Sequence, residues 1–512
     1  MIYLALALAA LTATFAVYVY GFVSAPKRGS DSFALDVSAK AADLDRSIAP
    51  LLQQHPGESG LCLLTDNVQA FALRAAAARH AERSLDLQYY YWKDDMTGSL
   101  LAREVIKAAD RGVRVRLLID DINSRSGDRN YVALERHPNI QVRLFNPTRC
   151  RESAFLRGAE SLLRFWSVNR RMHNKAWIVD NRLAVVGGRN IGDAYFDASR
   201  DANFRDMDVA AVGPVVAQAS EVFDRYWNSN FVFPIRTIAR PIKANLRRLR
   251  KRCETVACSK RAQPYLERIE KDRTLHEMRA GEWCLHWTDS AKVVSDPPEK
   301  AASEQAEAWL NKIILAVLMS ARQSLELTSP YFIPRDSGVK RLIELAERGV
   351  DVSVLTNSLA ATDVAAVHGA YMRYRKPLLA AGLRLFELKA SASQEDMSLF
   401  GSRGASLHTK AFVIDRRSGF IGSFNFDPRS ATLNTEMGLL FENAGLAEEM
   451  LRGFADEISP ARSFRVVLKD GRIAWEDAAG ERPQLLLREP AASIRRRLVA
   501  GLISILPIES QL

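Results

Sequence analysis

Cysteine is sparse in this 512-residue chain and shows no paired spacing. Cys62, Cys150, Cys253, Cys258 and Cys284 are odd in number, which excludes an ordinary disulfide framework. Cys253 and Cys258 lack a nearby Cys/His pair, so nothing indicates a zinc site, and reduced thiols fit a cytoplasmic body. Histidine is also rare, with 8 in the whole chain. Disordered bias is missing: 47% hydrophobic and 26% charged residues describe a globular protein, long enough for more than one domain. Acidic residues are outnumbered 60 to 71, and the resulting +11 charge points to anionic partners. Nucleic acid, anionic lipid surfaces and phosphorylated substrates all satisfy that charge.

Residues 2–23, IYLALALAALTATFAVYVYGFV, carry no charge and are long enough to cross about 30 Å of hydrocarbon as a helix. Tyr18 and Tyr20 stand toward one end, and Lys27 and Arg28 follow. Val23-Ser-Ala25 resembles a signal cleavage site, but no Lys or Arg precedes the run and Pro26 would follow the cut. A retained transmembrane anchor over 1–25 is therefore expected, and the basic C-terminal flank favours a cytoplasmic body.

His173-Asn-Lys175-Ala-Trp-Ile-Val-Asp180 recurs, spacing for spacing, as His408-Thr-Lys410-Ala-Phe-Val-Ile-Asp415. Gly187, Gly188 and Asn190 follow the first copy as Gly422, Ser423 and Asn425 follow the second. The duplication extends further. Ser84 to Tyr91 resembles Ser324 to Tyr331, and each is followed by a helical stretch, then Arg111-Gly-Val or Arg348-Gly-Val, then a strand. Each half thus reads as a βαβ unit with parallel pairing. The segments from Lys175 and Lys410 to the aspartates read as buried strands, and residues two apart share a face, so His173 and Lys175, like His408 and Lys410, should point together. The expected layout is an anchor over 1–25, a first domain over 26–235 and a basic connecting segment over 236–300. A second domain over 301–460 and a C-terminal extension over 461–512 complete it.

The run Arg247-Arg-Leu-Arg-Lys-Arg252 reads either as a solvated helix face or as a grip on an anionic surface. Arg149, Arg151, Arg157, Arg164, Arg170 and Arg171 interleave with Phe155, Phe165 and Trp166, as at a membrane-facing entrance; a nucleic-acid groove would look similar. Ser493 to Leu506 reads as a basic amphipathic helix, either a membrane contact or a packed terminal helix.

Two histidines suit phosphodiester chemistry. One neutral imidazole attacks phosphorus and the other protonates the departing alcohol. Lys175 and Lys410 would supply fixed charge, and the amides of Asn190 and Asn425 would donate to the phosphate oxygens. Ser423 adds a hydroxyl for phosphate or for an orienting carboxylate, which Gly188 lacks. No carboxylate or His/Cys cluster at metal spacing accompanies the motif, so no metal and no cofactor are expected. Each ring needs a partner on its other nitrogen. Glu436 suits that role, with Asp206 its counterpart in the first half and Asp208 a competitor. Asp180 and Asp415 complete the repeated set, with a share in the chemistry or a hold on the turn backbone. His368 is a candidate for substrate binding; His55, His80, His137, His276 and His286 lack repeated context.

The paired His-x-Lys-x4-Asp-x6-Gly-(Gly/Ser)-x-Asn motifs resemble the phospholipase D superfamily. Arg170 to Lys175, Val186 to Phe196, Phe420 to Ser430, Gln88 to Trp92 and Ser504 to Pro507 are similar to its bacterial cardiolipin synthase C-like subgroup. The resemblance implies an α/β fold of two tandem domains, mixed sheets flanked by helices, sharing one site at their interface. It implies phosphatidyl transfer between phospholipids at the bacterial inner membrane, giving cardiolipin without metal; hydrolysis to phosphatidate and a membrane-anchored phosphodiesterase or endonuclease are the alternatives. His173 would be the nucleophile and His408 the acid. No nucleic-acid partner is expected, and a monomer suffices because one chain carries both half-sites. Gly188 departs from the usual serine.

Overall fold

Both Arg-Gly-Val segments end a helix and start a parallel strand, and Gly112 and Gly349 take the left-handed conformation of that turn (φ 96° and 84°). The computed structural model describes residues 27–37 and 42–505, except 123–126, 152–153, 240–242, 274–275, 278–282, 284, 303–308 and 391–404, plus isolated positions before residue 27. The expected anchor lies almost wholly outside the described residues, as does the end of the C-terminal tail. Among the described residues, no helix is long and apolar enough to cross a membrane.

The first half supplies strands β1 (Ser59–Leu64), β2 (Ser84–Tyr89), β3 (Arg114–Asp120), β4 (Ile140–Phe145), β5 (Ala176–Val179), β6 (Leu183–Gly187), β7 (Asn203–Arg205), β8 (Asp208–Val212), β9 (Val232–Pro234) and β10 (His286–Thr288). Its helices include α1 (Asn67–His80), α2 (Met96–Asp110), α3 (Ala154–Leu163), α4 (Leu246–Ala257) and α5 (Gln263–Lys271). The second half supplies β11 (Lys292–Ser295), β12 (Ser324–Thr328), β13 (Asp351–Asn357), β14 (Arg384–Leu388), β15 (Ala405–Leu407), β16 (Ala411–Ile414), β17 (Ser418–Gly422), β18 (Met437–Glu442), β19 (Ser463–Lys469), β20 (Arg472–Asp477) and β21 (Gln484–Leu486). Helices α6 (Arg335–Glu347), α7 (Ala365–Ala380), α8 (Ala444–Glu457) and α9 (Ile494–Ile505) accompany them.

Two mixed sheets result, ordered β10-β1-β8-β6-β5-β2-β3-β4-β9 and β11-β18-β17-β16-β12-β13-β14-β19-β20-β21. The parallel part is β2-β3-β4 in one and β12-β13-β14 in the other, and β5-β6 and β16-β17 are the repeated hairpins. A shared apolar cluster joins the halves: Ala176, Val186 and Val209 pack in one core with Ala411, Ile421 and Leu439. The tandem α/β expectation therefore describes the architecture.

Three local expectations need correction. First, the stretch 236–300 is not a free connector: Leu249, Cys253, Tyr265 and Ile269 enter the first-half core, and the chain changes sheets between Thr288 and Lys292. Its basic run stays a solvated helix face, with Arg247, Arg248 and Lys251 exposed and Arg250 and Arg252 in part-exposed pairs with Asp110 and Asp94. Second, three of the arginines before His173 are internal, while Phe155 is exposed. Arg151 is buried against Asp121 and Asp128, Arg171 against Asp120, and Arg170 bonds the Lys300 carbonyl. Third, His173 and Lys175 precede β5 rather than lying on it, as His408 and Lys410 precede β16.

Candidate active site

Two short straps build the site by exchanging partners between the halves. The backbone N–H of His173 donates to the Thr435 carbonyl (2.8 Å), and Thr435 N–H donates to Arg171 (2.8 Å). In the other strap β7 and β15 run parallel, and His408 N–H donates to the Arg205 carbonyl (2.8 Å). Thr435 precedes Glu436 and Arg205 precedes Asp206. Each strap therefore sets a histidine of one half beside a carboxylate of the other.

The side chains complete that exchange. His173 Nδ1 donates to Glu436 at 2.8 Å, and His408 Nδ1 donates to Asp206 at 2.5 Å. An ionised carboxylate only accepts, so each Nδ1 carries a proton and each neutral ring keeps its lone pair on Nε2. Among the described residues, neither Nε2 has a hydrogen-bond partner. Tyr90 packs edge-on against the His173 ring (centroids 5.1 Å apart) and Tyr195 against His408 (5.2 Å), holding both ring planes. The sequence pairs Glu436 and Asp206 as counterparts within the repeat; in space each serves the opposite half. Asp208, the competitor, is buried against Arg74 and Arg189 instead.

Burial governs the protonation states. It pushes His173 down to about 4 against the pull of Glu436, and lowers His408 with help from Lys410. Burial alone would raise both carboxylates, but the facing histidines and lysines outweigh it, and Glu436 and Asp206 end below their ordinary values. Lys175 is driven well below its usual range by burial, and Lys410 to about 8. Each lysine donates to the carbonyl of its own motif histidine, Lys175 to His173 at 2.5 Å and Lys410 to His408. Two neutral imidazoles, two lysines and two carboxylates are thus buried together at the junction of the halves.

The remaining expected residues divide. Asn190 donates to the Tyr195 hydroxyl (3.2 Å), and the side-chain carbonyls of Asn190 and Asn425 are buried without a partner. Ser423 does not face phosphate: its hydroxyl donates to Glu436 at 2.5 Å and accepts from Met437 N–H at 3.0 Å. Ser430 donates to the other Glu436 oxygen (2.8 Å). Asp180 and Asp415 stand away from the chemistry. Asp180 accepts backbone N–H bonds from Glu82, Arg83 and Ser84 (3.0, 2.7 and 2.8 Å). Asp415 does the same for Arg322, Gln323 and Ser324 (3.0, 2.7 and 3.1 Å). Both sit at left-handed turn positions (φ 52° and 51°) and tie the hairpin to the start of the neighbouring parallel strand.

Gly188 has a steric reason. A Cβ there would lie 2.2 Å from Asp206 Oδ1, whereas Ser423 coexists with Glu436, whose arm is one carbon longer. The halves thus carry two matched solutions, glycine with aspartate and serine with glutamate.

His368 is not a ligand for substrate. It is buried with Arg375, whose guanidinium meets His368 Nε2 (2.6 Å), Glu489 (2.5 Å) and Glu387 (2.8 Å). Among the described residues, these three side chains form the sole His/Cys/Asp/Glu group with metal-binding proximity, and Arg375 already supplies its positive charge. Sequence reasoning did not single out Tyr195 and Ser430, which occupy equivalent places five residues after Asn190 and Asn425. Asp296 was also missed. It accepts from Glu436 N–H (2.9 Å) and pairs with buried Lys300 (2.9 Å), and no repeat marks it.

Comparison with known proteins agrees with this architecture. The family described as cardiolipin synthase, PLD-like domain, matches residues 75–227 and 314–458. Cardiolipin synthase C of Escherichia coli (strain K12) is 40% identical over 473 residues, which are 91% of this chain and 99% of that protein. A cardiolipin synthase of Staphylococcus aureus (strain Mu50) is 24% identical over 420 residues, 82% of this chain and 71% of its own. The crystal structure of phosphatidylserine synthase from Haemophilus influenzae Rd KW20 shares the fold, with a TM-score of 0.54, 14% identity and coverage of 78% of this chain and 86% of that one. The chain belongs to the cardiolipin synthase family of phospholipase D-like proteins.

Proposed function

We propose that this protein transfers a phosphatidyl group from one phospholipid to the hydroxyl of another, making cardiolipin through a phosphohistidine. The crossed His–carboxylate pairs carry this reading, because they leave two Nε2 atoms free while fixing both rings. Neutral His173 attacks phosphorus through Nε2, and the bond to the departing headgroup oxygen breaks. Protonated His408 hands that oxygen its proton. The neutral His408 then takes the proton of the incoming lipid hydroxyl, which displaces His173 from phosphorus. His408 acquires its proton when the anionic phosphodiester enters, since that charge offsets the burial and lysine effects that keep the ring neutral. Lys175 and Lys410, with the amides of Asn190 and Asn425, take the non-bridging oxygens.

The same proposal places residues 2–23 as an anchor in the bacterial inner membrane with the body in the cytoplasm, and one chain as a sufficient catalytic unit. The test is lipid extraction from a cardiolipin-deficient bacterium expressing the full chain. Cardiolipin should return, and the His173→Ala variant should not restore it. Rising phosphatidate without cardiolipin would identify water as the acceptor and reject the transferase reading.

A further inference from the structure

Helix α9 is mounted inside out. Its large apolar residues Ile494, Leu498 and Leu502, spaced four apart on one face, are 74%, 69% and 58% exposed. Ala500, Ile503 and Arg496 face the protein instead. Ala500 is fully buried against α7, where a Cβ on Gly369 would come within 2.6 Å of the Ala500 carbonyl. Arg496 turns inward and donates to the carbonyls of Leu359, Ala360 and Thr362 (3.0, 2.7 and 2.9 Å). A terminal helix that packed for stability in water would bury its leucines and expose its arginines. The reverse arrangement suits an apolar medium outside.

The seat of this helix leads to the candidate active site. The loop gripped by Arg496 follows the carboxyl end of β13, and its Asp363 accepts from the Tyr331 hydroxyl (2.9 Å) just beyond β12. Tyr90 leaves the carboxyl end of the equivalent strand β2 and packs on His173. Glu489, five residues before α9, holds Arg375 and through it His368, whose Nδ1 donates to the Asn357 carbonyl (3.2 Å). Asn357 in turn clamps the backbone of Leu407, the residue before His408 (2.9 and 3.0 Å). On the first half, α3 follows the carboxyl end of β4 and shows Phe155 and Leu162 on one face, 83% and 78% exposed.

We infer that the Ile494–Leu498–Leu502 face of α9 docks into an anionic phospholipid bilayer, holding the chain against the membrane from which it draws substrate. This rests on the phosphatidyltransferase reading. The partner is anionic because the chain carries +11 net charge and Arg495 is exposed beside the apolar stripe.

The experiment uses the full chain in proteoliposomes of phosphatidylglycerol and bromine-labelled phosphatidylcholine. A Leu498→Trp variant should show tryptophan emission beyond the parent's that is quenched by bromines near the headgroups. An added signal left unquenched would overturn docking, whether or not the enzyme turns over. Equal quenching in purely zwitterionic bilayers would overturn the anionic preference. In parallel, Leu498→Glu/Leu502→Glu should lose at least about tenfold activity on vesicle-borne long-chain phosphatidylglycerol and change less than about twofold on a monomeric short-chain phosphodiester. Equal loss on both substrates would mean that α9 serves only the fold. A parent that turns over the short-chain phosphodiester but makes no cardiolipin would defeat the transferase reading while leaving the quenching result to decide docking.

Discussion

Replacing Gly188 with the serine found at the matching place in the other half tests how tightly Asp206 is held. The new Cβ would sit 2.2 Å from Asp206 Oδ1 and 2.9 Å from its other carboxylate atoms. Ordinary contact needs about 3.4 Å or more, so the carboxylate must retreat by roughly 1 Å. It has little freedom to do so, because one oxygen receives His408 Nδ1 at 2.5 Å and the other receives Met207 N–H at 2.8 Å. A displacement of that size at a catalytic pair costs about 100-fold in rate, or about 2.7 kcal/mol of barrier. The loss should fall on kcat, with KM and thermal stability nearly unchanged. Adding Asp206→Glu supplies the longer arm that coexists with Ser423 in the second half, so Gly188→Ser/Asp206→Glu should recover to within about tenfold of wild type. Steady-state turnover of a short-chain phosphatidylglycerol reads all three proteins. Full activity in Gly188→Ser alone, or no recovery in the double variant, would refute the matched-pair argument.

Other outcomes follow from the same geometry. Glu436→Gln should lower kcat by about 100- to 10,000-fold by releasing the His173 tautomer, while substrate still binds; a change mainly in KM would contradict an orienting role. Asp180→Ala should lower thermal stability by about 2–3 kcal/mol, since two buried backbone N–H groups and one part-buried one lose their acceptor, yet folded enzyme should stay active. With both histidines neutral at pH 7, binding of a phosphodiester anion should take up about one proton, measurable by calorimetry in buffers of different ionisation enthalpy; no uptake would mean that the acid is charged beforehand. Activity should decline as pH rises through about 8, where Lys410 loses its charge.

The repeat made much of this legible in advance. Spacing alone located both histidines, both lysines and the βαβ units, because local pattern dictates each of them. It could not reveal the crossing of Glu436 and Asp206, which arises when two similar units pack face to face and exchange straps. Arg151 and Arg171 looked like surface for a related reason: sequence records charge, while burial depends on Asp120 and Asp121 at the end of β3 and Asp128 on the helix after it. Asp180 and Asp415 share the motif with the histidines, yet the repeat preserves turn geometry as faithfully as chemistry. Gly188, read as a broken symmetry, is compensated by the shorter carboxylate opposite it.

His173 and His408 share one site yet differ in role. A substrate with an aryl leaving group, which departs without a proton, separates their roles. Mixed with the His408→Ala variant and quenched rapidly, it should leave a phosphatidyl group on His173, detected by mass spectrometry of the digested chain, because no base remains to activate the acceptor. His173→Ala should trap nothing. An adduct on any other residue, or full turnover by either variant, would contradict the account.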